Sequence, residues 1–136
     1  MNVLVDTSIW SEAFRRPVGP ANEGLRRELQ ELISEQRIIL LGPIRQELLS
    51  GIREHAHYRR LKDALAAFPD HGLVKEDYES AAELFNHCRA KGIQGSNTDF
   101  LICAVALRRP FEIYTADHDF QLFAKHIMLH FYRSRF

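Results

Sequence analysis

The sequence predicts an α/β fold, in which a mostly parallel central sheet is covered by helices on both faces as an α/β/α sandwich. Three observations lead to this prediction. The chain has 136 residues, 46% of them hydrophobic, which is enough for a buried core without disulfides or a structural metal. Short apolar runs of strand length alternate with stretches of helical periodicity. No linker, repeat or low-complexity segment interrupts residues 1–136, so we expect a single domain.

The first predicted element is a buried strand at Val3–Val5, because this β-branched run stops at Asp6, where a turn-forming stretch begins. A helix is expected from Thr7, with Pro17 and the following glycine and proline ending it. The next helix has the clearest amphipathic pattern. Its apolar residues recur on one face: Leu25, Leu29, Leu32 and Ile33.

A second strand is predicted at Ile38–Leu41, since another apolar run ends there at a Gly-Pro pair. Proline at a first helical position favours a helix from Pro43 onward. A more polar helix is expected over Glu54–Phe68, followed by a short strand near Leu73–Val74.

The C-terminal half continues the alternation of helices and strands. Helices are predicted over Tyr78–Ala90 and Ser96–Leu107, and the second of these is strongly apolar. A strand at Phe111–Thr115, a short helix at Asp117–Lys125 and a final strand at Ile127–Phe131 complete the prediction.

Charge and cysteine content exclude some functions. The 18 Lys and Arg residues balance the 18 Asp and Glu residues, so contact with a nucleic acid must be local. Cys88 and Cys103 have no paired spacing, and we expect buried, reduced thiols. No basic stretch precedes the apolar start of the chain, so we expect no signal peptide, no membrane segment and a cytoplasmic location.

Four acidic residues are placed at one edge of the predicted sheet. Asp6 follows the first strand, Asp117 follows the strand that ends at Thr115, and Glu47 lies in the helix that leaves the second strand. Asp99 begins a helix that runs back toward the last strand. Ligands of such sheets bind beyond the carboxyl ends of the strands, so we expect these carboxylates to meet there.

Each acid also has a purely structural explanation. Asp6 and Asp117 can cap the helices that follow them, and Ser96 with Asp99 fits a capping box. Glu47 lies too far inside its helix to act as a cap, and the sequence places it on the face of Ile44. The joint position of the four acids favours a functional site.

Clustered carboxylates repel one another unless a cation lies between them. Ligands that are all oxygen favour Mg²⁺, with Mn²⁺ as the alternative, over zinc. Such an ion suits a phosphate substrate, because it activates water and neutralises charge on the attacked phosphate. The pattern therefore indicates phosphodiester hydrolysis.

Four stretches carry a resemblance to a known family: Val3–Ser8, Arg45–Leu48, Asn97–Ala106 and Tyr114–Phe120. In order and spacing they resemble the PIN-domain nucleases over nearly the whole chain. The length and layout are similar to the VapC toxins of toxin–antitoxin pairs. The resemblance implies a PIN-like fold and a Mg²⁺-dependent endoribonuclease that cuts single-stranded or looped RNA, leaving 5′-phosphate and 3′-hydroxyl ends.

The resemblance also implies roles for individual residues. Asp6, Glu47, Asp99 and Asp117 would form the catalytic quartet, with Asp6, Asp99 and Asp117 as metal ligands. Asp119 competes with Asp117 for the last place, and Asp117 is preferred because it lies nearer the strand end. The implied partners are an RNA substrate, a cognate antitoxin, and a second copy of the chain in a homodimer and a toxin–antitoxin hetero-oligomer.

Two alternatives stay open at this point. The chain could be a PIN nuclease of RNA processing that has no antitoxin. It could also be a noncatalytic RNA-binding or protein-binding module whose acids are only helix caps. A phosphatase of the HAD type is a weaker rival, because its second acid would fall at Ser8.

Two further groups of residues lie close to the acidic residues in the predicted fold. Four hydroxyl side chains could orient the carboxylates or waters, but we expect them to satisfy only local backbone groups: Thr7, Ser8, Thr98 and Thr115. Four basic residues stand near turns that can border the acidic edge and offset phosphate repulsion: Arg15, Arg16, Arg45 and Lys91.

Overall fold

A computed structural model describes residues 1–15 and 19–135, without the side chain of Ala21. The predicted break at Pro17 and the candidate Arg16 lie outside the described residues. The elements follow in this order: β1 (Val3–Val5), α1 (Thr7–Trp10), a π-helical turn (Ser11–Arg15), α2 (Pro20–Ser34), β2 (Ile38–Ile39), α3 (Gly42–Leu49), α4 (His55–Leu65), α5 (Lys75–Ala90), α6 (Asn97–Arg108), β3 (Glu112–Tyr114) and α7 (Asp119–Phe123).

The three strands form a parallel sheet in the order β2-β1-β3. Val3 of β1 is paired with Ile38 on one side, and Val5 is paired with Tyr114 on the other. Every side chain of β1 is fully buried, although successive residues point to opposite faces of the sheet. Both faces are therefore covered, and the predicted α/β fold with a parallel sheet is confirmed.

The core is built largely around α6. All residues from Phe100 to Ala106 are buried, which explains why this helix is apolar around its whole circumference rather than on one stripe. Phe100 packs against Phe123 of α7 with 4.7 Å between the ring centres, and Phe123 also contacts Phe120. Cys88 and Cys103 are free and buried, as expected, and burial raises the pKa of both thiols.

Two predicted strands are wrong or much reduced. The Leu73–Val74 strand does not form, because the Val74 N–H donates to the Asp77 carboxylate at 2.9 Å and the chain enters α5 directly at Lys75. The predicted Ile127–Phe131 strand is reduced to one parallel bridge between Phe131 and Ile113.

The C-terminal residues are held to α2 by polar contacts. Glu28 is fully buried in α2 and accepts from the Tyr132 hydroxyl and, at 3.0 Å, from Arg135 Nε. Arg135 also pairs with Glu35 at 2.9 Å. Within residues 1–15 and 19–135, no helix is long and apolar enough to cross a membrane.

Substituting Gly95 with alanine is expected to destabilise the protein by about 1–3 kcal/mol. A Cβ at this position would lie 2.5 Å from Phe123 Cζ and 2.9 Å from Phe100 Cε2, inside the aromatic cluster. Urea unfolding measures the effect. Gly24→Ala is the matched control, because a Cβ there meets nothing within 4 Å in helix α2, and a stabilisation of about 0.5–1 kcal/mol is expected. Equal stabilities of Gly95→Ala and the wild type would contradict the packing.

Candidate active site

Asp6 lies at the carboxyl end of the central strand and is only 4% exposed. Its backbone N–H donates to the Tyr114 carbonyl at 2.9 Å, which continues the β1–β3 pairing by one residue. The Asp6 side chain makes no capping bond to α1, so the interpretation as a helix cap is wrong. Its Oδ2 instead accepts from the hydroxyls of Ser8 and Thr115, each at 2.8 Å.

Ser8 and Thr115 hold one oxygen of Asp6 from both sides. The Ser8 hydroxyl also accepts from the Ala116 N–H, and the Thr115 hydroxyl accepts from the Asp117 N–H, both at 3.0 Å. These backbone bonds orient the hydroxyls so that their single protons go to Asp6. Among the described residues, the other oxygen, Oδ1, has no hydrogen-bond donor.

The expectation that the four nearby hydroxyls serve only the local backbone is wrong for three of them. Ser8 and Thr115 donate to Asp6, and Thr7 donates to Glu47 Oε1 at 3.3 Å. For Thr98, the part of the chain described by the structure contains no side-chain hydrogen bond. The contacts of Ser8 and Thr115 with Asp6 could have been predicted from the parallel pairing of β1 with β3. In such a pair, the residues at the ends of the two strands lie side by side.

Asp99 forms the predicted capping box with Ser96. The Ser96 N–H donates to Asp99 Oδ2 at 3.1 Å, and the Asp99 N–H donates to the Ser96 hydroxyl at 3.0 Å. Burial raises the pKa of the Asp99 carboxyl despite these bonds, and the negative charges of Asp6 and Asp117 add to the rise. The fold therefore brings these three acids into one electrostatic environment.

Asp117 is half-buried, and its Oδ1 accepts from the Asp119 N–H at 2.9 Å just before α7. The expectation that Asp117 caps this short helix is thus met in part. Asp119 is exposed, whereas Asp117 is half-buried and its negative charge contributes to the raised pKa of Asp99. This difference favours Asp117 over Asp119 as the acid that belongs to the site.

Glu47 is at the rim of the site. Ile44 and Leu48 of α3 are buried, but the Glu47 side chain is exposed, so the expected placement on their face is wrong. Glu47 lies at the border between the buried face of α3, which carries Ile44 and Leu48, and the face exposed to solvent. The bond from Thr7, the residue after Asp6, keeps Glu47 at the same end of the sheet.

One of the basic residues predicted to border the site, Arg45, is engaged elsewhere. Arg45 donates to Asp70 Oδ1 at 2.8 Å, to the Leu65 carbonyl at 3.0 Å and to the Phe68 carbonyl, so it fastens the end of α4 instead. Arg15 and Lys91 are exposed. Within residues 1–15 and 19–135, no lysine or arginine forms an ion pair with any of the four site carboxylates.

The donor chemistry of the site suits a hard divalent cation. Among the described side chains, no three Asp, Glu, His or Cys groups are arranged to share one ion as they stand. Mg²⁺, however, is usually bound by one or two carboxylates, with waters and substrate phosphates as its other ligands. The unpaired Oδ1 of Asp6 and the mutual repulsion of Asp6, Asp99 and Asp117 fit such a cation.

Comparison with known proteins gives concordant results. The family model for the PIN domain matches residues 3–126. The chain is 33% identical over 127 residues to a VapC ribonuclease of Mycobacterium bovis and to ribonuclease VapC11 of Mycobacterium tuberculosis, covering 90% of this chain and 92% of each relative.

Solved structures share the fold at lower identity. FitAcB from Neisseria gonorrhoeae has a TM-score of 0.75 and 20% identity, covering 97% of both chains. VapBC2 from Rickettsia felis, bound to a DNA fragment from its promoter, has a TM-score of 0.77 and 19% identity, covering 97% of this chain and 98% of that chain. At these identities the likeness concerns the fold, and it agrees with the predicted PIN-like architecture.

Proposed function

The chain belongs to the PIN-domain family, and from this membership we propose that it is a divalent-metal-dependent endoribonuclease and the toxin of a type II toxin–antitoxin pair. One observation carries the proposal. Asp6, Asp99 and Asp117 gather at the carboxyl end of a parallel sheet, and no lysine or arginine of the described residues pairs with them. Repulsion between these carboxylates destabilises the folded protein unless a cation binds between them.

Asp6, Asp99 and Asp117 would hold the ion, which we propose is Mg²⁺, with Mn²⁺ as the alternative. A divalent ion supplies positive charge for a phosphodiester and makes a water more acidic. Ser8 and Thr115 fix Asp6 Oδ2, which leaves Oδ1 without a competing donor among the described residues. Glu47 is exposed at the rim, and we propose that one of its carboxylate oxygens accepts the proton of the attacking water.

The relatives suggest the substrate and the partner. The sequence relatives are named ribonucleases, which supports RNA as the substrate. The solved structures with this fold include a toxin–antitoxin complex from Klebsiella pneumoniae, with a TM-score of 0.61 and 18% identity. We therefore propose a cognate antitoxin as the protein partner, and a homodimer within the resulting hetero-oligomer.

An RNA cleavage assay tests the nuclease proposal. The purified protein is incubated with total cellular RNA in Mg²⁺, in Mn²⁺, and in EDTA followed by Mg²⁺ in excess. We expect cleavage with either ion, loss in EDTA and recovery on adding metal, with 5′-phosphate ends at the mapped sites. Cleavage that persists in EDTA, or none with any ion, would contradict the proposal. Growth arrest on expression that is relieved by co-expressing the cognate antitoxin tests the toxin assignment.

A noncatalytic binding module is the second candidate, and one observation favours it. Asp99 and Asp117 both bind local backbone N–H groups, as helix-capping residues do. The Asp6 side chain makes no such bond and is held by two other side chains, which capping does not explain. The EDTA experiment separates the two candidates, because a noncatalytic module cleaves nothing under any of the conditions.

Thr115→Val is expected to lower the cleavage rate about 10- to 100-fold, as loss of a residue that orients a metal ligand typically does. Valine keeps the shape but removes the hydroxyl that donates to Asp6 and accepts from the Asp117 N–H. Initial cleavage rates at saturating Mg²⁺ measure the effect. Thr115→Ser retains the hydroxyl and should recover most of the rate. Equal losses in both variants would show that keeping the hydroxyl does not preserve the rate, which would contradict its proposed role in orienting Asp6.

A further inference from the structure

A hollow of about 390 Å³ opens beside the acidic site, between α3, α5 and α6. Its size is within the range of small-ligand sites, roughly 300–1,000 Å³. Two of these three helices, α3 and α6, also carry site acids. Pro43 lies one turn before Glu47 in α3, and Asn97 and Thr98 directly precede Asp99 in α6. Residues that line the hollow are therefore close along the chain to two of the four site acids, Glu47 and Asp99.

The walls of the hollow are apolar and uncharged. Ala81 and Leu101 are buried, and Tyr78 is 54% exposed although its side chain is large and aromatic. No residue lining the hollow carries a charge. A phosphate or a charged peptide side chain has no counter-charge here, whereas a flat, neutral, aromatic group gains contact with the Tyr78 ring.

Two polar residues line the hollow, and both directly precede Asp99 in the chain. Among the described residues, the Asn97 amide and the Thr98 hydroxyl have no hydrogen-bond partner. An asparagine amide offers both donors and an acceptor, the combination that pairs with the edge of a nucleobase. An aromatic face and an unpaired amide next to a phosphodiester-cleaving site together specify a base rather than a peptide.

We propose that this hollow binds one nucleobase of the RNA substrate beside the scissile phosphate, stacked on Tyr78 and hydrogen-bonded by Asn97, so that the pair sets base preference at the cut site. This inference rests on the proposed ribonuclease function and adds a specificity subsite to it. Tyr78 and Asn97 are binding residues in this scheme, and the acids carry out the chemistry.

The test uses short single-stranded RNAs that differ at the nucleotides flanking a mapped cut. Tyr78→Ala is expected to raise KM about 5- to 100-fold with little change in kcat, because the stacking surface is lost. Tyr78→Phe keeps the ring and should regain most of that loss. Asn97→Ala is expected to flatten the base preference at one flanking position. Met128→Ala, an exposed apolar truncation outside the hollow, should behave as the wild type.

Binding measured without cleavage separates the two proposals. Fluorescence anisotropy in the Asp6→Asn background reports RNA affinity, and Tyr78→Ala should weaken it by the same factor as KM. If the wild type cleaves RNA but both Tyr78→Ala and Asn97→Ala leave KM and base preference unchanged, the subsite is wrong and the nuclease stands. If Tyr78→Ala halves the mass in light scattering without changing affinity, the hollow is a contact between two copies of the chain, which overturns the subsite. If the wild type neither cleaves nor binds RNA, both proposals fail.

Discussion

Asp6→Asn is expected to lower the RNA cleavage rate about a thousandfold or more while the protein stays folded. Asparagine has the shape of aspartate, and its amide oxygen can still accept from the hydroxyls of Ser8 and Thr115. The negative charge at the carboxyl end of β1 is lost, and with it one of the charges that attract a divalent ion to the site. Charge stabilisation by a metal is worth several kcal/mol of the barrier, and each 1.36 kcal/mol is a factor of ten in rate.

The measurement is the initial cleavage rate of a defined RNA over a range of Mg²⁺ concentrations. Circular dichroism and thermal unfolding show whether the variant keeps its fold. Asp63→Asn is the matched control, because it makes the same chemical change at an exposed position of α4. A rate within tenfold of the wild type, in protein purified away from contaminating nucleases, would remove Asp6 from the proposed mechanism.

Arg109→Met is expected to destabilise the fold by about 3 kcal/mol at neutral pH. Asp77 of α5 is fully buried, and Arg109 donates to both of its oxygens, at 2.6 and 2.8 Å. Arg108 and the Val74 N–H complete the set at 2.9 Å each. Removing one partner of a buried pair costs about 3–5 kcal/mol when a charge is left uncompensated, and the remaining Arg108 places this case at the lower end.

The same cluster predicts a pH dependence of stability. The Arg109 guanidinium, the Val74 N–H and Arg108 hold the pKa of the Asp77 carboxyl well below its usual range, against the opposing effect of burial. Since the pKa is lower in the folded than in the unfolded protein, the stabilisation is fully present above the unfolded pKa, near 4. It is lost as the pH falls from there through the folded pKa.

Urea unfolding at pH 6, 4 and 3 tests this dependence. The difference in unfolding free energy between the wild type and Asp77→Asn should be largest at pH 6 and shrink toward pH 3. Glu79→Gln, an exposed position on the same helix, is the control and should follow the wild type at every pH. A difference that is the same at all three pH values would show that the loss comes from packing and not from the charge of Asp77.

The positions of the four acids could be predicted because they follow from topology. In a parallel sheet the strands end at the same edge, so Asp6 and Asp117 meet once β1 and β3 are recognised as neighbours. Asp99 was predictable because its capping box with Ser96 fixes the start of α6. Glu47 was placed at the correct end of the sheet but on the wrong face, since its helical phase lies between the buried stripe and solvent.

Side-chain partners were much harder to predict. Arg45 lies two residues from Glu47, yet it bonds to the end of α4, because carbonyls there need donors that the sequence does not reveal. The Leu73–Val74 strand failed because Asp77 takes the Val74 N–H that a sheet would have used. The Arg45 contact depends on a group far away in the chain, and the loss of the strand depends on a competing local hydrogen bond. The periodicity of apolar residues predicts neither of these interactions.

The sequence by itself determined the α/β architecture, the order of most elements and the edge at which the acids collect, because apolar periodicity and strand polarity are properties of the chain. Three contacts were decided only by the tertiary structure. Ser8 and Thr115 donate hydrogen bonds to Asp6, and Asp77 is buried with two arginines as its partners. Tyr78 lines an open hollow together with the residues that precede Asp99. These contacts depend on the directions of side chains brought together from distant segments, and hydrogen bonds and burial select those directions only after the helices have packed.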